Sequence, residues 1–122
     1  MTTKELKYGP IVASNIFVIK QLDILGLDKH YLGYFMLVEI MNILINENFM
    51  RGISFSRVVY PRVAVLFNKT ICTVERNIRN LIDKSWSNEL MIKLKFYLPE
   101  NQKPCCADFI YMVKNFIVEQ IN

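Results

Sequence analysis

Arg76 and Arg79 stand one helical turn apart, with Asn80 beside them and Thr70 and Thr73 just upstream. An arginine fork matches the two acceptors on the major-groove edge of guanine, and an asparagine amide bonds an adenine edge in the same two-point way. Threonine hydroxyls and the first turn of a helix suit phosphate oxygens. Glu75, next to Arg76, can orient a guanidinium or accept from cytosine. The same residues also fit an ordinary wet face, with intrahelical pairs among Arg76, Arg79 and Asp83 worth about 0.2–0.5 kcal/mol each. Residue types by themselves leave both accounts open.

The segment that must position them is KTICTVERNIRNLIDKSW, residues 69–86. At about 100° per residue, with Val74 at zero, Ile78, Leu81, Ile82 and Ser85 fall within roughly 80° of it and form a core stripe. Opposite lie Cys72, Thr73, Arg76, Arg79, Asn80 and Asp83, with Glu75 on the flank. Thr70 is placed to cap a helix over 71–86. The preceding SRVVYPRVAVLFN predicts a helix through about Phe67, capped by Ser54 or Ser56. Pro61 either starts that helix or kinks it, since it removes an interior hydrogen bond. Asn68 suits a left-handed end, and Ala64 supplies the small residue that two crossing helices need. Helix, short turn, helix with a polar N-terminal face is the helix-turn-helix layout.

The remaining elements are helical too. Pro10 can open a first helix, with Ile11, Val12, Ile16, Ile19, Leu22 and Leu25 as its apolar face and Gly26 as its end. Asp28 is placed to cap a second helix over about 31–48, apolar on most of its circumference and therefore central. A turn at Arg51-Gly52 follows. A short helix spans about 88–96, although residues 96–98 also suit an extended strand. After the loop 99–104, a last helix covers about 106–120, with Phe109, Met112, Val113, Phe116 and Ile117 on one face. The expected fold class is all-α, a compact six-helix domain containing a helix-turn-helix, with residues 1–9 as a loose tail.

The 122 residues suit one domain. The net charge of +4 is unevenly spread. Residues 51–84 hold seven bases (Arg51, Arg57, Arg62, Lys69, Arg76, Arg79 and Lys84) against Glu75 and Asp83, a local +5; the rest of the chain is at −1. A basic patch is the footprint of a polyanion binder, and also an ordinary solvated surface. Three cysteines, two of them adjacent, form no ligand-spaced motif, so no disulfide, metal or cofactor is expected, and free thiols suit a cytoplasmic location. The apolar run 31–45 is interrupted by Glu39 and Asn42 and is too short for a membrane span.

With those elements in place, VVYPRVAVLFNKTICTVERNIRNLIDKSW resembles the DNA-binding effector domain of the master sporulation response regulator of spore-forming bacteria, the stage 0 sporulation protein A family. The matching residues are Tyr60-Pro61, Ala64, Phe67-Asn68, Val74-Glu75-Arg76, Ile78-Arg79 and Trp86. Gly26, His30, Gly33 and Tyr34 upstream are similar to the family's Gly–His–Gly-Tyr segment; Lys103-Pro104 and Phe109-Ile110 are similar to its closing segment. The resemblance implies sequence-specific binding to short promoter boxes of double-stranded DNA, often as tandem copies, so a dimer on tandem sites. It implies DNA contacts by Arg76, Arg79 and Glu75. With Asn80 at the base edges or nearby phosphates, Thr70, Thr73, Lys69 and Arg57 would set the register on the backbone.

Three departures stand out. The family's receiver domain has no counterpart here. The segment after Trp86 reads SNELMIK where the family has a basic, Gly-containing stretch associated with contacting RNA polymerase, through which a sigma subunit is an implied partner. The loop before Lys103 is acidic and amide-rich. They motivate a second reading, a protein–protein module that pairs with a full-length regulator.

Other candidates carry less. His30, the only histidine, assembles no catalytic triad and suits capping or packing. Cys105-Cys106 are plain thiols at a helix start, and Trp86 is a core anchor. Met36, Met41 and Met50, with Phe35 and Phe49, read as core filler. No phosphate-binding loop or paired-carboxylate motif is present, so no enzymatic activity is expected.

Overall fold

The computed structural model describes residues 15–47 and 52–121. Among these residues the chain is all-α, with six helices and no strand: α1 Asn15–Ile24, α2 Leu32–Asn46, α3 Tyr60–Phe67, α4 Ile71–Ser85, α5 Asn88–Leu94 and α6 Cys106–Ile121. The predicted features at residues 1–14, 48–51 and 122 lie outside the described residues.

α2 is the central element. Ten of its fifteen residues are buried, and it packs against α1, α3, α4 and α6. Tyr34, Met36, Leu37, Ile40, Met41 and Leu44 meet Ile78, Leu81 and Ile82 of α4 and Phe109 of α6 in one core. At Gly33, α2 lies close against the backbone of α4. A Cβ at that position would lie 2.2 Å from the backbone oxygen of Asn77. The Tyr34 hydroxyl donates to Asp23 at 2.9 Å and so ties α2 to α1. Burial, reinforced by that carboxylate, holds this phenol protonated far above its usual range.

Helix ends explain the connections. α1, α3 and α5 all finish in the same paired-bond pattern, closed by Gly26, Asn68 and Lys95 with φ of +79°, +54° and +58°. At α3, Asn68 N–H bonds Val65 O and Lys69 N–H bonds Ala64 O. This left-handed closure reverses the chain quickly enough for α4 to start at Ile71, three residues later. Before α3, residues Phe55–Val59 form a π-helical turn. Tyr60 N–H reaches back five residues to Phe55 O. Pro61 has no N–H to offer Arg57, so the widened turn replaces an α-helical one, and helix proper begins beside the proline.

Several expectations are corrected. Asp28 does not cap α2. Tyr31 is the N-cap and makes no side-chain cap bond; the Asp28 carboxylate instead accepts from the His30 N–H at 2.9 Å. Ser54 precedes the π-helical turn without capping it; its hydroxyl faces that of Ser56. The His30 ring is 89% exposed and paired with Asp28, so it packs nothing. Phe35 is 47% exposed, lying edge-on to Tyr34, and Ile16 is 68% exposed, so neither fills the core. α5 stops at Leu94, and residues 96–99 are irregular. Trp86 meets its expectation: half-buried, it sets its ring edge-on to Phe109.

Arg62 on α3 places its guanidinium fork on Glu47 just beyond α2, with Nη1 donating to Oε1 at 2.8 Å and Nη2 to Oε2. That bond holds the Glu47 carboxyl below its usual range. A carboxylate whose folded pKa is depressed contributes stability above its ordinary pKa and loses it as pH falls through the folded value. A carbon-detected NMR titration is therefore expected to place the Glu47 midpoint below 4.5, the ordinary value, and Arg62→Met is expected to return it there.

Candidate nucleic-acid interface

α4 is mounted on the core by the stripe read from its sequence: Val74, Ile78, Leu81 and Ile82 are buried. Ser85 completes it, accepting the Asp28 N–H at 3.4 Å. The helix opens on a side-chain cap, with Thr70 Oγ1 accepting from Thr73 N–H at 3.1 Å. The two threonine hydroxyls also meet at 2.9 Å. α3 packs across α4 with Ala64 almost fully buried. α4 is thus held from behind by α2 and α6 and from the side by α3, its partner in the helix-turn-helix.

The face turned away from the core displays Cys72, Glu75, Arg76, Arg79, Asn80 and Asp83, all exposed, with Thr73 half-buried at its edge. Arg79 lies 3.7 Å from Glu75, one turn earlier, both about half exposed. This is the intrahelical pair that a wet face predicts, and equally one that orients an arginine. Arg76 and Asn80 make no side-chain hydrogen bond or ion pair among the described residues. Lys69 and Thr70 are exposed in the turn. Arg57 is exposed on the π-helical turn, a different element, and no hydrogen bond or ion pair joins it to α4.

The basic patch is reduced by pairing. Arg62 is engaged by Glu47 and Arg79 shares Glu75, while Arg51 lies outside the described residues. Arg57, Lys69, Arg76 and Lys84 have no partner among the described residues. One base that the local count did not include joins the α4 surface: Lys103 Nζ lies 3.4 Å from both the backbone oxygen and the carboxylate of Asp83. Twenty residues separate the pair, and no local pattern announces it.

Beneath the display sit Tyr60 and Cys106. The Cys106 Sγ lies 3.9 Å from the Glu75 carbonyl. Burial pushes its thiol up, with Glu75 adding and Arg79 opposing. Burial also raises the Tyr60 phenol, reinforced by Cys106 and Glu75. Both groups therefore stay protonated and neutral near neutral pH, and a neutral thiol is a poor nucleophile. Among the described residues no three His, Cys, Asp or Glu side chains gather as a metal site, and no helix is long and apolar enough to cross a membrane.

A short turn, a buried stripe on the second helix and an exposed Arg/Asn face on its other side form the layout by which such helices meet DNA. The family model described as Sporulation initiation factor Spo0A C terminal matches residues 18–117, and the chain belongs to this family of helical, DNA-binding effector domains of sporulation regulators.

Proposed function

We propose that α4 is a recognition helix that enters the major groove, with Arg76 and Arg79 directed at guanine edges and Asn80 at an adenine edge or a nearby phosphate. Glu75 orients Arg79 or accepts from a cytosine amine. Thr70, Thr73, Lys69 and Arg57 set the register on the phosphate backbone. Two copies on tandem boxes of double-stranded DNA and a sigma subunit of RNA polymerase complete the reading as partners. One observation carries it: two arginines and an asparagine share the exposed face of a helix whose opposite face is fixed in the core.

Selection of bound sequences from a random duplex pool by the purified protein tests this directly. A defined box rich in guanine contacts is expected; recovery of no preferred sequence sinks the proposal. Affinity for the selected box is expected to fall linearly in log K against log salt. With Lys69, Arg57 and the recognition-face arginines at phosphates or near them, a slope of about −3 to −4 is expected. An affinity independent of salt between low and physiological concentrations would contradict backbone contact.

A further inference from the structure

The first turn of α4 carries two side chains that neither the core nor the polar face accounts for. Ile71, the opening residue of the helix, is 39% exposed. Cys72, next to it, is an exposed free thiol, and a free cysteine behaves as a small hydrophobe. A single exposed apolar residue is ordinary; the place of this pair is not. At about 100° per residue, Cys72, Arg76, Arg79 and Asp83 follow one another at i, i+4, i+7 and i+11 down one line of the helix. Cys72 is therefore the N-terminal member of the row to which both arginines belong. Ile71 flanks that row, one turn ahead of Glu75.

The polar groups of this turn are already engaged with one another. Thr70 Oγ1 accepts from Thr73 N–H, and the two hydroxyls meet at 2.9 Å. Val74 N–H bonds Thr70 O at 3.0 Å. At Ile71 and Cys72 the helix thus offers neither a charge nor a forked donor. Recognition helices meet base edges chiefly with their N-terminal residues. Among the groups that base pairs present in the major groove, the apolar one is the 5-methyl of thymine. An isoleucine beside a thiol suits that group and none of the hydrogen-bonding edges.

We propose that Ile71 and Cys72 form an apolar step that takes a thymine methyl, and so add a thymine to the sequence that the arginines select. This rests on the reading of α4 as the recognition helix. Cys72 precedes Arg76 by four residues, a rise of about 6 Å against about 3.4 Å per base pair. The thymine therefore stands one or two base pairs from the guanine of Arg76, on the side away from the guanine of Arg79. The contact is uncharged and releases no counterion, so its share of the affinity does not depend on salt. In this it differs from every phosphate contact assigned to Lys69, Thr70, Thr73 and Arg57.

The test uses the full chain and the box it selects. That box is expected to carry a thymine one or two base pairs outside the guanine whose preference Arg76→Ala abolishes. Replacing this thymine by deoxyuridine removes the methyl and keeps the base pairing. The exchange is expected to weaken binding about fourfold, as for one buried methyl group. The ratio is expected to stay the same at low and physiological salt, while both affinities fall together. Cys72→Ser exchanges the thiol for a polar hydroxyl at an exposed position, so the fold is unaffected and the variant is expected to bind the two duplexes alike. Ile71→Ala is expected to show a smaller ratio than the unaltered chain. The outcomes separate the two readings. Recovery of no preferred sequence removes the recognition helix and this contact together. A box that depends on Arg76 and Arg79 but has no thymine at that place overturns the apolar step alone. So does equal binding of the thymine and deoxyuridine duplexes by the unaltered chain, or a Cys72→Ser chain that still tells them apart, since the methyl is then read from elsewhere or not at all.

Discussion

Arg76→Ala and Arg79→Ala are each expected to weaken binding to the selected box by about 1–3 kcal/mol, roughly 5- to 150-fold, and to flatten the preference for one base pair each. Arg76 has no bond in the free protein among the described residues, so nothing has to be broken before its fork turns to a base. Arg79 starts from its pair with Glu75. At 3.7 Å, with both side chains about half exposed, that pair is worth only a few tenths of a kcal/mol, on the order of 0.3–0.5. It biases the fork's direction without competing seriously with a two-point bond to guanine. Both variants leave the core stripe untouched, so thermal unfolding should not move. The comparison that decides is competition between the selected box and a scrambled duplex. Lys69→Ala, at a backbone position, is expected to weaken both duplexes alike and to reduce the salt slope by about one. If Arg76→Ala and Arg79→Ala do the same, the arginines hold phosphates and read no bases. If they change nothing, α4 does not meet the DNA.

Much of this surface was legible because its signals are local. The period of Val74, Ile78, Leu81 and Ile82, the Thr70 cap and the left-handed Asn68 depend on neighbours within one or two turns, and each stands where the pattern puts it. The all-α class followed from the same periodicity. Local rules failed where two of them competed or where the partner is distant. Asp28 has the chemistry of a cap but bonds the His30 N–H instead, because the chain turns once more before α2 begins. Pro61 posed a choice between starting a helix and bending one. The structure combines both, with a π-helical turn leading into a new helix. The charge count was correct as a sum and incomplete as a map, because Glu47 engages Arg62 from fifteen residues away and Lys103 joins Asp83 across twenty. Ion pairs of that span leave no periodic trace. Phe35 shows the opposite error: the pattern makes it core filler in a helix apolar on most of its circumference, whereas α2 turns that edge to solvent.

Gly33→Ala is expected to destabilise the fold by about 3 kcal/mol, a large share of the roughly 5–15 kcal/mol that holds such a domain together. Helix propensity predicts the opposite sign. Gly33 sits inside α2, where replacing glycine by alanine ordinarily gains up to about 1 kcal/mol. The obstacle is the backbone of α4. The added Cβ would lie 2.2 Å from the Asn77 oxygen, 2.8 Å from its carbonyl carbon and 3.2 Å from the Leu81 Cβ. A side chain can rotate away from such a contact; a helical carbonyl cannot. α4 must therefore shift off α2, opening the core around Ile78 and Leu81, both fully buried. The displaced element is the proposed recognition helix, so DNA affinity at temperatures where the variant is still folded should fall as well, although Gly33 belongs to neither the base nor the phosphate contacts. Gly26→Ala provides the calibration. Its φ of +79° makes alanine strained, yet nothing lies within 4 Å of the new Cβ, so a cost of about 1–2 kcal/mol with no change in DNA affinity is expected. Denaturant unfolding of the two variants measures both costs. A Gly33→Ala protein as stable as the unaltered chain would mean that α2 and α4 are not in the close approach that positions Arg76 and Arg79.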